Sequence, residues 1–223
     1  MSFEFVIIGS GPAGSILAWK LAKLNYKIAI IDRAFGSKKK MINDFFLPFV
    51  NMSPNYYTPV YSNLLGGNSA LWHGKVYLIS KKEFETGKWP MSYDELIENS
   101  RELSKLLKIT TTNLEKIITE DDIDYHYSER CGIENIFSYL NISDNPNIVV
   151  FNNSSPIKLF FDDENKVKSI LIKRENYKEE IFINKSLIFC AGGLGNPHLL
   201  LNLISKLNGN LGKFLSDPKK FIY

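Results

Sequence analysis

The spacing of apolar and polar positions changes several times along this chain, and each change marks an element. Phe5, Val6, Ile7 and Ile8 form a continuous apolar run, the pattern of a parallel strand covered on both faces. Ala13, Leu17, Leu21 and Leu24 then recur at helical spacing and predict a helix whose stripe faces a sheet. A second apolar strand, Ile28 to Ile31, ends at Asp32. From Phe35 to Asn63 periodicity is lost in a stretch rich in Asn, Pro, Tyr and Phe, too long for a simple connection. So many aromatics need something to bury against, which predicts a ligand-covering excursion or a segment packed on a partner.

Helical spacing returns at Leu96, Ile97, Leu103, Leu106 and Leu107, introduced by Ser92 and Glu95 as a capping box. A charged, Thr-rich section follows from Thr110 to Arg130, holding Tyr125-His126-Tyr127; with no partner motif in the sequence, that histidine reads as a surface or packed residue. From Asn147 onward the pattern is one of strands. Ile148 to Phe151, Ile157 to Phe161, Val167 to Ile172 and Ile181 to Ile183, with Asp162-Asp163-Glu164-Asn165 and Glu175-Asn176 at the corners, predict an antiparallel meander. A further buried parallel strand, Ser186 to Cys190, ends in Ala191-Gly192-Gly193. Asn196-Pro197 predicts the N-cap and first position of a Leu-rich helix.

Candidate chemistry begins between the first strand and the first helix, at Gly9-Ser10-Gly11-Pro12-Ala13-Gly14. Gly9 permits a tight turn, Gly11 lets the backbone approach a pyrophosphate, and Gly14 lets the helix pack closely on the strand. Pro12 suits the first helical turn, where its missing N–H costs nothing, and the free N–H groups around Ala13 favour a bound phosphate. Asp32, at the end of the second strand, can accept hydrogen bonds from both hydroxyls of an adenosine ribose and would repel a 2′-phosphate. Strand, glycines, helix, strand and acid at this interval predict a dinucleotide cradle. A second glycine motif, Leu65-Gly66-Gly67-Asn68-Ser69-Ala70-Leu71-Trp72-His73-Gly74, reads equally as a turn before a strand or as exposed backbone approaching a flat or anionic ligand beside Trp72.

Composition narrows the field. A chain of 223 residues can bury a sizeable core, and 44% hydrophobic with 23% charged residues is that of a globular protein. A net charge of +3 gives no reason to expect nucleic acid, and Lys38-Lys39-Lys40 reads as a solvated cluster. The first strand leaves no room for a signal peptide, and no apolar run approaches membrane-spanning length, so a cytoplasmic protein without a membrane span is expected. Cys131 and Cys190 are too far apart in sequence to suggest a metal site or a disulfide framework, so no metal is expected; Cys190 reads as a buried small hydrophobe.

An early strand-helix-strand fingerprint, an inserted meander and a late strand ending in Ala-Gly-Gly resemble the glucose-methanol-choline family of FAD-dependent oxidoreductases, particularly its bacterial sugar-oxidoreductase-like members. The resemblance lies in Val6 to Gly14, Leu65 to Gly74 with Trp89-Pro90 and Ser92, Ile188 to Leu201, and Leu211 to Asp217, the last similar to the family's Gly-x-x-Leu-x-Asp-His-Pro. It implies an α/β fold: an FAD-binding Rossmann-like parallel sheet with an inserted antiparallel meander and a partial α-rich cap or substrate segment. The implied division is 1–80 and 146–223 for FAD and 81–145 for the cap. It places Gly9, Gly11 and Gly14 at the FAD pyrophosphate, Asp32 at the ribose, and Gly66, Gly67, Asn68 and Ser69 along the pyrophosphate and flavin. Trp72 and His73 would lie near the isoalloxazine, the Ile157 backbone would face the adenine, and Ala191, Gly192 and Asp217 would lie near the middle of the cofactor. Where some relatives carry a histidine that attaches the flavin, this chain has Leu71, which implies noncovalent FAD.

Two departures stand out. Asp217 is followed directly by Pro218. The family also carries its catalytic histidine, with a second His or Asn, near the C-terminus of a much longer chain, so this chain is expected to be incomplete and inactive alone. The leading expectation is thus the FAD-binding portion of an oxidoreductase acting on an alcohol or sugar hydroxyl. A truncated or split non-catalytic FAD-binding chain, with a second chain supplying the substrate domain, comes next. A nicotinamide-dependent dehydrogenase is third.

Overall fold

The computed structural model describes residues 1–34, 62–72, 74–87, 89–109, 117–120, 123–126, 129–204 and 211. Its elements in chain order are β1 (Ser2–Ile8), α1 (Pro12–Lys23), β2 (Ile28–Ile31), β3 (Lys75–Val76), α2 (Lys81–Thr86), α3 (Tyr93–Leu107), β4 (Ile117–Glu120), β5 (Ile123–His126), β6 (Glu129–Arg130), α4 (Ile136–Tyr139), β7 (Ile148–Phe151), β8 (Ser154–Phe161), β9 (Val167–Arg174), β10 (Tyr177–Phe189) and α5 (Gly192–Leu203). The chain forms two compact units, Met1–Ala70 with Asn135–Tyr223, and Leu71–Glu134.

The first unit is a mixed α/β layer built on a six-stranded sheet of order β7-β2-β1-β10-β9-β8. The strands β7, β2, β1 and β10 run parallel, and β10, β9 and β8 form an antiparallel meander. All four residues of β2 are fully buried, as are Val6 and Ile7 of β1. Burying a side chain of this kind contributes roughly 1.5–3 kcal/mol. Phe3, Val6, Ile31, Phe151, Ile170 and Ile181 join this core.

Strand β10 carries the change of architecture within a single element. Its first half alternates, with Ile181 and Ile183 buried and Phe182 exposed, as a strand with one covered face should. Its second half, Leu187-Ile188-Phe189, is continuously apolar and pairs with β1. The register shifts between Ile183 and Ser186 where the pattern changes. The strands expected at Ile181 to Ile183 and from Ser186 are therefore one strand, because Asn184-Lys185 is absorbed as an irregularity and not a turn.

Three other expectations are corrected. Ile148 to Phe151, read as part of the meander, instead pairs parallel with β2 at the sheet edge, Ile28 against Ile148. The buried stripe of α1 is Gly14, Ala18 and Ala22, with Ser15, not Ala13, Leu17, Leu21 and Leu24; Ala13 and Leu24 are exposed. The helix lies so close to the sheet that only small residues fit beneath it, and the leucines move to its flanks. Helix α5 begins at Gly192, so Asn196-Pro197 falls inside it and His198 in its second turn.

In the second unit β3 pairs with β6 and β4 with β5, both antiparallel. The capping box of Ser92 and Glu95 opens α3, and a second one, Ser80 with Glu83, opens α2. Phe84 stacks on Trp89 and meets Tyr93 edge-on. No helix among the described residues is long and apolar enough to cross a membrane.

Candidate functional site

The carboxyl ends of β1, β2 and β10 bring several loops together. Gly9 leaves β1 with φ of 104°, and a Cβ there would meet the Cys190 carbonyl oxygen at 2.5 Å. Cys190 N–H in turn donates to the Ile8 carbonyl at 2.7 Å, so the Gly9 turn and the end of β10 are packed backbone to backbone. A Cβ on Gly14 would run into the Gly9 carbonyl. Gly11 differs, because its Cβ would meet nothing closer than the Cys190 oxygen at 4.0 Å. No side chain caps α1, and Pro12 begins it. The first-turn N–H groups of Ala13 and Gly14 thus point, with the positive end of the helix dipole, toward the space over Gly11. An anionic group fits that space.

Asp32 is held at the end of β2. Its Oδ2 accepts from the Ser10 N–H at 2.6 Å and its Oδ1 from the Ala34 N–H at 2.8 Å. Its backbone bonds Phe151 and Ser154 across the β7–β8 connection. The carboxylate therefore stands preformed beside the first glycine loop, each oxygen keeping acceptor capacity for a ligand hydroxyl.

The second glycine motif joins the first. Gly66 N–H donates to the buried Ser10 Oγ at 3.0 Å, and a Cβ on Gly67 would lie 3.0 Å from the Gly11 Cα. Asn135 supports this turn from behind: its Nδ2 donates to the Leu65 carbonyl at 2.8 Å, and its carboxamide fills the space where a Gly66 Cβ would be. Asn68 turns back to accept from Ser62 N–H. Ser69 is buried, donating to the Gly66 carbonyl and accepting from Ile136 N–H. Ala191 N–H donates to Asn196 Oδ1 at 2.7 Å, beside an exposed Gly192 with φ of 79°. Burial pushes the Cys190 thiol up, so it stays protonated near neutrality; the side chain is half-buried, less enclosed than expected.

The structure thus brings together Gly9, Gly11, Pro12, Ala13, Gly14, Asp32, Gly66, Gly67, Ala191 and Gly192. Ile157 lies on β8 where the pairing with β9 skips from Pro156 to Lys158. Trp72 belongs to the Leu71–Glu134 unit, where its indole N–H donates to the Ile133 carbonyl. His73 and Asp217, and most of the stretch from Phe35 to Asn63, lie outside the described residues. The sequence reading missed Ser10, Ser15 and Asn135, whose importance comes from contacts made only in the folded chain.

Fold and cradle define a Rossmann-like α/β protein. Residues 7–36 match the profile of the NAD(P)-binding Rossmann-like domain family. Among solved structures, pyridoxine 4-oxidase from Mesorbium loti shares the fold at a TM-score of 0.60 and 16% identity, over 89% of this chain and 51% of that one. A formate oxidase gives 0.57 and 16%, over 90% and 47%. An Aspergillus oryzae formate oxidase, studied for FAD modification, gives 0.57 and 18%, again over 90% and 47%. Closer in sequence but shorter in extent are an uncharacterized protein of Methanosarcina barkeri, 34% identical over 95 residues, 37% of this chain and 24% of that protein, and a geranylgeranyl diphosphate reductase of Rhodobacter capsulatus, 36% over 55 residues, 22% and 14%. The chain spans about half the length of the solved structures it matches.

Proposed function

We propose that the unit Met1–Ala70 with Asn135–Tyr223 binds FAD noncovalently, as the cofactor-holding part of an oxidoreductase acting on an alcohol or sugar hydroxyl. The observation that carries this reading is the convergence of the two glycine turns, at Gly9 and Gly67, and of the Cys190–Ala191 end of β10 on the uncapped start of α1 beside Asp32. The α1 N-terminus would hold the pyrophosphate and Asp32 the ribose hydroxyls. When bound, the flavin supplies a hydride acceptor, and the protein's part is to bind and orient it. The fold shared with the solved oxidases, one of them studied for FAD modification, supports flavin; the substrate class rests on the family resemblance.

We also read the chain as unable to oxidise an alcohol by itself. Of its three histidines, His198 is exposed on α5 of the first unit, His126 belongs to the Leu71–Glu134 unit, and His73 lies outside the described residues. The reading rests on the family resemblance, in which the catalytic histidine belongs to a segment this chain does not match. Proton removal would then need a second chain or further polypeptide bearing the substrate-facing groups. Nicotinamide binding is the second reading, favoured by the NAD(P)-binding description of the matching family.

Titration of the purified protein with FAD and with NAD separates the two. FAD is expected to bind tighter and to be released into the supernatant by acid precipitation. NAD preference would favour the second reading, and flavin retained in the pellet would contradict noncovalent binding. In anaerobic mixing with sugars and primary alcohols the bound flavin should stay oxidised, while dithionite reduces it. Bleaching by an alcohol would place a working base within this chain.

A further inference from the structure

Ser10 is fully buried, yet it bonds to β2, to α1 and to the second glycine turn. Its N–H donates to Asp32 Oδ2, its carbonyl accepts from Ser15 Oγ at 2.6 Å, and its Oγ accepts from Gly66 N–H. The first two bonds hold the Gly9–Gly14 loop to β2 and α1. The third reaches across 56 residues of sequence to the second glycine turn. Within itself the turn is closed by Gly67 N–H to the Leu64 carbonyl and by Ser69, which donates to the Gly66 carbonyl. Gly66 and Gly67 both have positive φ and no side chains, and Ser10 is what ties the Gly66 N–H to the first glycine loop, with Asn135 holding the Leu65 carbonyl.

We propose that Ser10 is a positioning residue that locks the Leu65–Gly67 turn onto the first glycine loop, so that a dinucleotide meets both backbones as one surface. The inference rests on the FAD reading above. Gly67 sits against Gly11, at the place where the first-turn N–H groups of α1 are aimed. A shift of the second turn would therefore change the wall facing the pyrophosphate while leaving Asp32 and its backbone donors in place. In Ser10→Ala the bonds of the residue 10 N–H and carbonyl remain, and only the acceptor for Gly66 N–H is lost. A buried N–H left without a partner is costly enough to displace the turn.

The test compares FAD with AMP, which has the ribose but no pyrophosphate. In Ser10→Ala the affinity for FAD should fall by about tenfold or more, the scale of one unsatisfied buried donor. AMP affinity, followed by ligand-observed NMR, should be unchanged, which also shows that the variant is folded. Asn135→Ala, which frees the same turn from the other side, should show the same split, whereas Asp32→Ala should weaken both ligands. Ser10→Thr, which keeps the hydroxyl, should recover FAD binding. An equal loss of FAD and AMP in Ser10→Ala, or unchanged FAD binding, would overturn the positioning role. A wild-type protein that binds AMP but not FAD would instead defeat the flavin reading itself.

Discussion

Within the first glycine loop, neighbouring glycines answer to different constraints. A side chain at Gly14 would collide with the Gly9 backbone, so Gly14 serves the packing of α1 on β1; Gly11 faces open space, so the protein alone does not require a glycine there. We expect Gly14→Ala to destabilise the fold by about 1–3 kcal/mol, as overpacking does. Gly11→Ala should cost no more than about 1 kcal/mol, the scale of losing a favourable N-cap residue, because its φ of −59° suits any residue and its Cβ meets nothing closer than 4.0 Å. Thermal unfolding of the two ligand-free variants checks this, and equal midpoints would contradict it. These glycines and Asp32 were readable from the sequence because their roles depend on short spacings. Ser10 and Asn135 were not, since the partners that join them to the second glycine turn lie 56 and 70 residues away, and the local signal at Asn135 is only that of an N-cap to α4.

At the scale of elements, local chemistry was readable and long-range pairing was not. The capping box at Ser92 and Glu95 was visible as a pattern and forms as read, and Ser80 with Glu83 was equally visible but overlooked. The meander corner at Asp162 also forms as expected, with Asp162 Oδ1 accepting from Glu164 and Lys166 N–H. By contrast, the apolar run of β7 is compatible with either partner direction, and only the assembled sheet sets it beside β2. The stripe of α1 was misjudged because periodicity identifies an amphipathic helix without saying how near it approaches its sheet. The α3 box also carries a pH dependence. Hydrogen bonds from the Ser92 backbone and hydroxyl to Glu95 hold that carboxyl below its ordinary value. Its stabilisation of the helix start is therefore fully present above the ordinary carboxylate range and is lost as pH falls through the lowered value of the folded chain. Ser92→Ala should lower amide protection in the first turn of α3 at neutral pH, and acid should bring the wild type down toward the variant. Protection that is the same in both at neutral pH would show that the box contributes nothing.

For the whole molecule, the α/β class and the mostly parallel, Rossmann-like core follow from runs of apolar residues long enough to be unambiguous, at β1, β2 and the end of β10. How the chain divides was harder to read, because the bonds that tie residues after Glu134 back to the first unit, from Asn135 to Leu65 and from Ile136 to Ser69, join distant parts of the sequence. The central claim is that this unit is a cradle for a flavin dinucleotide, with the pyrophosphate over Gly11. The most direct measurement is the flavin content of the protein after incubation with FAD and removal of the excess, for the wild type and for Gly11→Val, with circular dichroism to confirm that both are folded. The account predicts near-equimolar, yellow wild-type protein and a folded variant that takes up little or no flavin. A folded wild type that stays colourless, or a Gly11→Val protein that binds FAD as well as the wild type, would contradict it.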